Sequence, residues 1–285
     1  MKELPPVAID ALRRFLDEDI RSGDLTTELM GPLTEDAVGT VYAKCKTIVA
    51  GVKEAVAIAN MVGLEHKILV FEGNWVSPSA AILKLTGQAR LLLTVERVVL
   101  NIMMRMSGIA TKTYRMLEAA RRGNPATIVA ATRKTTPGFR FFEKRAVQIG
   151  GGDTHRYALD DMVLIKNNHI SAMGGVTQAV RAAKQSVSFS KKVSCEVTSL
   201  SEAMEAIEAG ADIILLDNLT PKQIKNIRDV LEERGLRQKV ILEGSGGMNE
   251  DNAEEYAASG LDVISSGALT HSYTSADLNM ILQFK

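Results

Sequence analysis

The residues best suited to chemistry lie in one basic stretch, TRKTTPGFRFFEKRAVQIGGGDTHRYALDDMVLIKNNH at 132–169. From Arg133 to His169 this stretch has seven Lys and Arg residues against four Asp and Glu, although the whole chain carries 34 of each sign. Such a local surplus predicts a polyanionic small ligand, because arginine grips carboxylates and phosphates through two parallel hydrogen bonds and lysine acts as a mobile point charge.

Position within this stretch separates binding residues from ordinary surface charges. Arg133, Lys134 and Lys166 follow or end short apolar runs, and we predict that they contact the ligand. Lys144 and Arg145 fall inside a predicted helix at 139–148, where a ligand contact and a solvated helix charge are equally good interpretations.

The glycine run at 150–152 precedes two more candidates, His155 and Arg156. Glycine lets a backbone approach a ligand closely, so we predict that both side chains reach the same ligand. An isolated histidine is more often structural, but adjacency to arginine and to this loop favours function here.

Two segments have the pattern of phosphate-binding turns, EGSGG at 243–247 and SSGAL at 265–269. Each places serine and glycine directly after an apolar run, so that backbone N–H groups can face an oxyanion. His271 can contact the same phosphate or cap the returning chain. The predicted phosphate-binding residues are Ser245, Gly246, Gly247, Ser265, Gly267 and His271.

Two carboxylates, Glu196 and Asp217, end neighbouring apolar runs. They are predicted to share Mg²⁺, which commonly takes one or two carboxylates and completes its shell with ligand phosphates. The alternative is a pair of salt bridges to Lys134 or Lys166.

Short β-branched apolar runs position these residues, and amphipathic stretches separate the runs from about residue 126 onward. This alternation predicts a parallel sheet, and the continuous apolar character predicts strands covered on both faces. The predicted strands are 126–132, 162–166, 193–197, 212–217, 240–244 and 262–267, and the clearest helices are 199–210, 221–235 and 249–260.

A polar residue ends each of these runs, which favours an α/β fold of the β/α-barrel type, with the strand ends meeting at one mouth. A doubly wound sheet is the alternative, but no G-x-G-x-x-G follows an early strand. The polar end residues are Lys134, Lys166, Glu196, Asp217, Glu243 and Ser265.

The first ~110 residues have a different pattern, with a helix at 7–19, mixed strand-like pieces and a helix at 94–108. We predict a separate N-terminal α/β domain at 1–112, joined by the C-terminal tail at 273–285, and a barrel domain at 113–272.

Composition excludes several classes of protein. With 46% apolar and 24% charged residues and a net charge of zero, the 285-residue chain predicts a globular protein that binds neither nucleic acid nor membrane. Cys45 and Cys195 suit neither a disulfide framework nor a zinc site, and Cys195 is expected in the core. Reduced thiols and a charged N-terminal segment with two prolines predict a cytoplasmic location.

Seven ordered sequence blocks together resemble the quinolinate phosphoribosyltransferase family almost from end to end. They are EDIRSGDLTT at 18–27, ERVVLNIMMRMSGIAT at 96–111, TRKTTPGFRFFEKRAVQIGGGDTHR at 132–156, IKNNH at 165–169, LLDN at 215–218, EGSGG at 243–247 and ISSGALTHS at 264–272.

The resemblance implies an N-terminal α/β sandwich domain and an open seven-stranded β/α barrel. It further implies a homodimer in which each active site borrows residues from the partner. The reaction implied is transfer of phosphoribosyl from phosphoribosyl pyrophosphate (PRPP) to quinolinate with decarboxylation, a step of NAD biosynthesis that uses Mg²⁺ as cofactor.

The resemblance also assigns roles to residues of this sequence. Lys134, Lys166, Glu196 and Asp217 are the implied catalytic residues, and Lys134, Glu196 and Asp217 would meet PRPP with Mg²⁺. The 5′-phosphate would be held by Ser245, Gly246, Gly247, Ser265 and Gly267. The quinolinate carboxylates would be held by Arg133, His155, Arg156, Lys166 and Arg97, the last supplied by the neighbouring subunit.

One position departs from the pattern of many relatives, which carry an acidic residue where this chain has Thr198. That change leaves one carboxylate fewer near the metal. Three other interpretations are weighed against the main one. They are the molybdenum-associated relatives of the same fold, a Schiff-base enzyme with Lys166 as nucleophile, and a non-catalytic sensor of phosphate ligands. The intact TRKTTPG and GGGDTHR blocks favour the quinolinate enzymes, and the complete set of basic and acidic residues argues against a sensor.

Overall fold

The computed structural model describes residues 3–31 and 33–284, which divide into two compact units. The first unit comprises residues 1–112, 136–150 and 273–285, and the second comprises 113–135 and 151–272. The sequence-based division assigned 136–150 to the barrel domain, whereas this segment clusters with the first unit.

The strands are β1 (Asp36–Ala43), β2 (Thr47–Ile48), β3 (Glu65–Ile68), β4 (Trp75–Val76), β5 (Ala81–Gln88), β6 (Ile128–Ala130), β7 (Val163–Ile165), β8 (Val193–Val197), β9 (Ile213–Asp217), β10 (Ile241–Ser245), β11 (Val263–Ser265) and β12 (Leu278–Phe284). The helices are α1 (Pro6–Ile20), α2 (Leu25–Leu29), α3 (Val52–Met61), α4 (Ala89–Gly123), α5 (Arg140–Ile149), α6 (Asn167–Met173), α7 (Val176–Ser186), α8 (Leu200–Glu208), α9 (Pro221–Glu233), α10 (Ala253–Ala258) and α11 (Ala268–His271). A short 3₁₀ helix spans Arg237–Lys239.

The first unit contains a four-stranded antiparallel sheet in the order β12-β1-β5-β3. The C-terminal strand β12 pairs with β1 from Ala37 to Ala43, with Val41 opposite Met280. Both side chains are buried, so the end of the chain contributes directly to the core of this unit. The strands β2 and β4 form a separate antiparallel pair.

The long helix α4 has a buried apolar stripe at helical spacing, formed by Leu92, Val95, Val99, Met103 and Met106. The sequence predicted its end at Gly108, but the helix continues for fifteen further residues, to Gly123. A Cβ at Gly108 would lie 2.2 Å from the carbonyl oxygen of Thr274, so this glycine permits close packing and does not end the helix. No helix within residues 3–31 and 33–284 is both long and apolar enough to span a bilayer.

Helix α5 shows why residues 136–150 belong to the first unit. Its Phe142 packs with Phe139 and Phe15, with ring centroids 4.9 and 5.6 Å apart. Its fully buried Glu143 accepts hydrogen bonds from the Arg105 guanidinium and, at 3.1 Å, from the Thr136 backbone N–H. Because of these contacts, residues 136–150 pack within the first unit although they lie next to barrel strands in the sequence.

The surface-charge interpretation of the two basic residues in α5 is wrong. Lys144 is fully buried. Arg145 is only 13% exposed and forms ion pairs with Glu54 and Glu72. Neither residue lines the cavity described below, so both belong to the core of the first unit. Buried charges such as these are retained only when they have partners.

The second unit contains a six-stranded parallel sheet in the order β6-β11-β10-β9-β8-β7, with helices in the connections. The predicted open barrel of parallel strands is confirmed, but its seventh strand is reduced to one bridge between Asp153 and Ala130. The chain leaves the extended conformation at His155, whose φ is +52°, and this prevents a longer pairing.

A repeated aspartate clamp fixes the start of strands in this sheet. Asp212 accepts a hydrogen bond from the Val193 backbone N–H at 2.7 Å, and Asp262 accepts one from the Leu242 N–H at 2.8 Å. Both aspartates occur just before a strand, in the similar segments GADII and GLDVI. The clamps set the strand register that brings the functional side chains together at the opposite ends of the strands.

Candidate functional site

The carboxyl ends of the parallel strands surround a cavity of about 740 Å³, formed entirely by residues of the second unit. It collects all the site residues predicted from sequence except Arg97. Those that line it are Arg133, Lys134, His155, Arg156, Lys166, Glu196, Asp217, Ser245, Gly246, Gly247, Ser265, Gly267 and His271.

Two positions singled out in the sequence lie outside the cavity lining. Arg97 is exposed on α4 within the first unit. Thr198 donates from its backbone N–H and its hydroxyl to Glu202 at 2.7 and 2.9 Å, at the start of α8. In this sequence Thr198 therefore stabilises a helix end and contributes no carboxylate to the cavity.

The cationic side of the cavity contains the guanidinium groups of Arg133 and Arg156. Burial lowers the pKa of Arg156, and the positive charge of Arg133 lowers it further, while Glu243 and Asp161 oppose the change. Arginine keeps its proton under these conditions, so two like charges are held together on this wall. Such an arrangement favours binding of an anion, because a bound anion relieves the repulsion.

Lys166 and Glu196 face each other across neighbouring strands, with Nζ 3.1 Å from Oε2. A salt bridge to Lys166 was the alternative role that the sequence allowed for Glu196, and this salt bridge is present. The lysine side chain is 53% exposed, so the pair contributes little to stability and its ammonium can exchange partners. His169 accepts a hydrogen bond from the Lys166 backbone N–H at 2.9 Å and thereby holds this residue at the start of α6.

The turn after β10 has the geometry that the phosphate prediction requires. Gly246 and Gly247 have φ values of +98° and +64°, which favour glycine. A Cβ at Gly246 would lie 2.2 Å from Oδ1 of Asn218, so the turn packs tightly against the end of β9. Asn218 also donates from Nδ2 to Asp217 at 2.7 Å, which connects this turn to a predicted catalytic carboxylate.

The turn after β11 lies next to the segment that contains Lys134. The Thr270 hydroxyl donates to the Lys134 carbonyl at 2.7 Å. A Cβ at Gly267 would lie 2.7 Å from Cδ of Lys134 and 3.0 Å from Nε2 of His271. Glycine at this position therefore lets the lysine and histidine side chains lie beside the turn.

Glu243 and Asn218 are among the lining residues to which sequence reasoning assigned no site role. Glu243 is 2% exposed and lies two residues before Ser245 on β10. Alternation along a strand places both on one face, so the predicted role of Ser245 could have identified Glu243. Asn218 has a positive φ of +56°, which depends on tertiary context and gives no clear sequence signal.

The carboxylates of Glu196 and Asp217 could hold a metal ion. Within residues 3–31 and 33–284, no group of three or more His, Cys, Asp or Glu side chains is arranged to bind one. Two carboxylates in a cavity that also contains phosphate-binding turns suit Mg²⁺, which completes its shell with water and substrate oxygens. The donor set therefore fits an ion that arrives with a phosphorylated ligand.

The fold and the cavity define an α/β-barrel protein with a cavity at the carboxyl ends of its strands that contains basic side chains and glycine-rich turns. The profile described as "Quinolinate phosphoribosyl transferase, C-terminal domain" matches residues 109–281, and its N-terminal counterpart matches residues 24–107. The chain belongs to the quinolinate phosphoribosyl transferase family.

Relatives named as enzymes cover nearly the whole chain. The Methanothermobacter thermautotrophicus protein named "Probable nicotinate-nucleotide pyrophosphorylase (carboxylating)" is 46% identical over 276 residues, covering 95% of this chain and 98% of that protein. The human nicotinate-nucleotide pyrophosphorylase (carboxylating) is 39% identical, covering 98% and 93%. The crystal structure of NadC from Streptococcus pyogenes superposes with a TM-score of 0.92 at 35% identity, with both chains fully covered.

Proposed function

We propose that this protein transfers phosphoribosyl from PRPP to quinolinate with decarboxylation, giving nicotinate mononucleotide, pyrophosphate and CO₂. The observation that carries the proposal is the order of groups around the cavity. The turns after β11 and β10 suit a phosphate, β9 and β8 present Asp217 and Glu196, and Lys166 follows β7. One cavity thus offers adjacent positions for a phosphorylated sugar and a dicarboxylate.

Charge explains why the reaction needs this cavity. Quinolinate is a dianion and PRPP a polyanion, so cations must offset their repulsion before the two can meet. In the proposed complex, Arg133, His155, Arg156 and Lys166 hold the two carboxylates of quinolinate. The turns at 245–247 and 265–267 hold the 5′-phosphate.

The chemistry then follows without a covalent enzyme intermediate. The pyridine nitrogen attacks the anomeric carbon as the bond to pyrophosphate breaks. A carboxylate such as Glu196 or Asp217 stabilises the positive charge that develops on the sugar. Loss of CO₂ leaves its electron pair on the ring carbon beside the pyridinium nitrogen, whose positive charge stabilises it, with Lys134 or Lys166 near the developing charge. That carbon then takes a proton from solvent to give nicotinate mononucleotide.

We propose Mg²⁺ as the cofactor, entering with PRPP and held by Glu196 and Asp217. It would supply charge neutralisation at the pyrophosphate group. We further propose a homodimer in which Arg97 reaches the quinolinate site of the partner, because Arg97 is exposed and absent from the lining of its own cavity. The proposed location is the cytoplasm, whose reducing conditions suit the free thiols of Cys45 and Cys195.

The test is to incubate the purified protein with PRPP, Mg²⁺ and either quinolinate or nicotinate, and to measure nicotinate mononucleotide and CO₂ by mass spectrometry. Mononucleotide with CO₂ from quinolinate alone is the expected result. A folded protein that binds PRPP but leaves quinolinate unchanged would refute the proposal, and would favour the molybdenum-associated relatives or a sensor.

The shared-site dimer has its own test, which mixes two variants of reduced activity. Arg97→Ala and Lys166→Ala damage different parts of the proposed site. If Arg97 acts in the partner's site, mixed dimers contain one site with both changes and one with neither, so activity returns on mixing. If Arg97 acts within its own chain, every site of the mixed dimers stays defective.

A further inference from the structure

The cavity contains one carboxylate that the proposed reaction does not use, that of Glu243. It projects from β10 on the same strand face as Ser245, two residues further from the mouth, which corresponds to roughly 6–7 Å along a strand. Only 2% of the residue is exposed. A carboxylate this deeply buried is costly unless a partner satisfies it.

Its partner is the imidazole of His155. Nε2 of His155 lies 3.2 Å from Oε1 and 3.3 Å from Oε2 of Glu243. An ionised carboxylate only accepts hydrogen bonds, so Nε2 must be the nitrogen that carries a hydrogen. The carboxylate therefore selects one tautomer of the ring, because a bare Nε2 would place two acceptors against each other.

The backbone holds His155 from the other side. Its N–H donates to Oδ1 of Asp153 at 2.6 Å, and Asp153 is itself bridged to Ala130 of β6. The positive φ of His155, unusual for a residue with a side chain, is maintained by these contacts. Both the backbone and the ring are thus fixed, which leaves the imidazole little freedom to rotate.

Glu243 is an acidic residue in a part of the cavity that is otherwise basic. Arg133 and Arg156 contribute positive charge to this side of the cavity, and Asp161 and Glu243 offset it at Arg156. A negative charge beside a subsite for a dianion would oppose binding, unless it improves the donors that the dianion contacts. Pairing with His155 does so, because the carboxylate balances the charge on the ring and sets its orientation.

We propose that Glu243 is a positioning residue that holds His155 with a hydrogen on Nε2, so that Nδ1 is the nitrogen left for a substrate carboxylate, to which it donates when the ring is doubly protonated. This inference rests on the proposed function for the identity of that substrate. The tautomer and the ring orientation follow from the contacts of Glu243 alone.

Nuclear magnetic resonance of protein labelled with isotopic nitrogen in histidine tests the tautomer without any turnover. The His155 signals can be assigned by comparison with His155→Gln. We expect the neutral ring to show the Nε2-protonated pattern in the unmodified protein. Glu243→Gln, which keeps an acceptor oxygen, should retain the pattern, and Glu243→Leu should lose it. An Nδ1-protonated ring in the unmodified protein, or no change in Glu243→Leu, would overturn the proposal.

Ligand binding provides the second readout. Losing the acceptor of a charge-assisted hydrogen bond should weaken quinolinate binding to Glu243→Leu by about 10- to 100-fold. Binding of PRPP should change less than about twofold, because its predicted contacts lie elsewhere in the cavity. Equal weakening of both ligands would show a general structural defect and refute a positioning role.

Glu54→Leu is the matched control for the binding readout, since it makes the same chemical change at a buried carboxylate of the first unit. It should alter neither binding constant. If the unmodified protein shows the Nε2–H tautomer but fails to convert quinolinate, the proposed function is wrong while the role of Glu243 in fixing His155 stands.

Discussion

Replacing Glu54 by glutamine should change how the stability of the protein depends on pH. Glu54 is fully buried on α3, and burial raises its pKa to about 7 from an ordinary value of 4.5. Arg145 lies 3.0 Å from Oε2 of Glu54 and favours the charged form. However, the same guanidinium also binds Glu72, so its charge is shared between two carboxylates.

The lack of a hydrogen-bond partner for one carboxylate oxygen supports the raised pKa of Glu54. Oε1 of Glu54 is buried and has no hydrogen-bond partner in the described part of the chain. An ionised carboxylate with a bare buried oxygen is more costly than a neutral one, because solvation is lost without compensation. Desolvation therefore outweighs the half-shared attraction of Arg145.

The sign of the effect follows from proton linkage. Between pH 4.5 and about 7, the native protein holds a proton at Glu54 that the unfolded chain has released, so the free energy of unfolding falls as pH rises. Between about pH 5 and about pH 8, the difference in pKa between the native and unfolded states raises the equilibrium constant for unfolding by a factor of roughly 70. This corresponds to a loss of about 2.5 kcal/mol in the free energy of unfolding. Glutamine does not titrate, so Glu54→Gln escapes this loss. The stability of the variant relative to the unmodified protein should therefore rise by about this amount between the two pH values.

Urea denaturation at several pH values measures the difference directly, and Glu65→Gln supplies the matched change at an exposed carboxylate of the same unit. Glu65→Gln should show a change below about 0.5 kcal/mol. The reasoning is refuted if the difference in free energy of unfolding between Glu54→Gln and the unmodified protein stays constant from about pH 5 to about pH 8. That result would mean that the charge of Arg145 affects the pKa of Glu54 more than desolvation does.

Three other predictions concern the second unit. Lys166→Ala should lower kcat/KM for quinolinate by about 10- to 100-fold, and unchanged steady-state kinetics would contradict its assignment. Gly246→Ala places a Cβ 2.2 Å from Oδ1 of Asn218 at a φ of +98°, so PRPP binding measured by calorimetry should weaken while quinolinate binding persists. Asp262→Ala removes the acceptor of the Leu242 N–H and should lower the free energy of unfolding by about 1–3 kcal/mol. An unchanged urea midpoint would show that this clamp contributes nothing.

Parallel strands were predictable from sequence because each is a short apolar run with a polar residue at its end. β8 coincides with its prediction at 193–197, and the others differ by a few residues at their ends. The antiparallel strands β5 and β12 were not predicted individually. Both strands pair with β1, which lies far from them in the chain, and pairing between distant segments leaves little local signal.

The positions missed by sequence depend on tertiary context. For Lys144 the sequence left a ligand contact and a solvated helix charge equally open, because helix periodicity does not show which neighbours will cover a given face. The structure buries it completely. The single bridge at Asp153 replaces a full strand because His155 takes a positive φ. That conformation is set by Asp153 and by the site itself, so a pattern of apolar residues cannot reveal it.

Charge pairing within the cavity explains why a strongly basic sequence segment occurs in a chain with no net charge. Lys166 lies against Glu196, and His155 against Glu243, so each of these bases has a carboxylate on another strand. The two pairs differ in burial: the Lys166 ammonium is half exposed, whereas Glu243 is 3% exposed and His155 is 13% exposed at their side chains. An exposed pair is weak and exchanges readily, while a buried pair resists separation. In the proposed reaction, Lys166 can therefore turn from Glu196 to a substrate carboxylate, which frees Glu196 to act on the sugar. His155 keeps its partner throughout and binds through its other nitrogen.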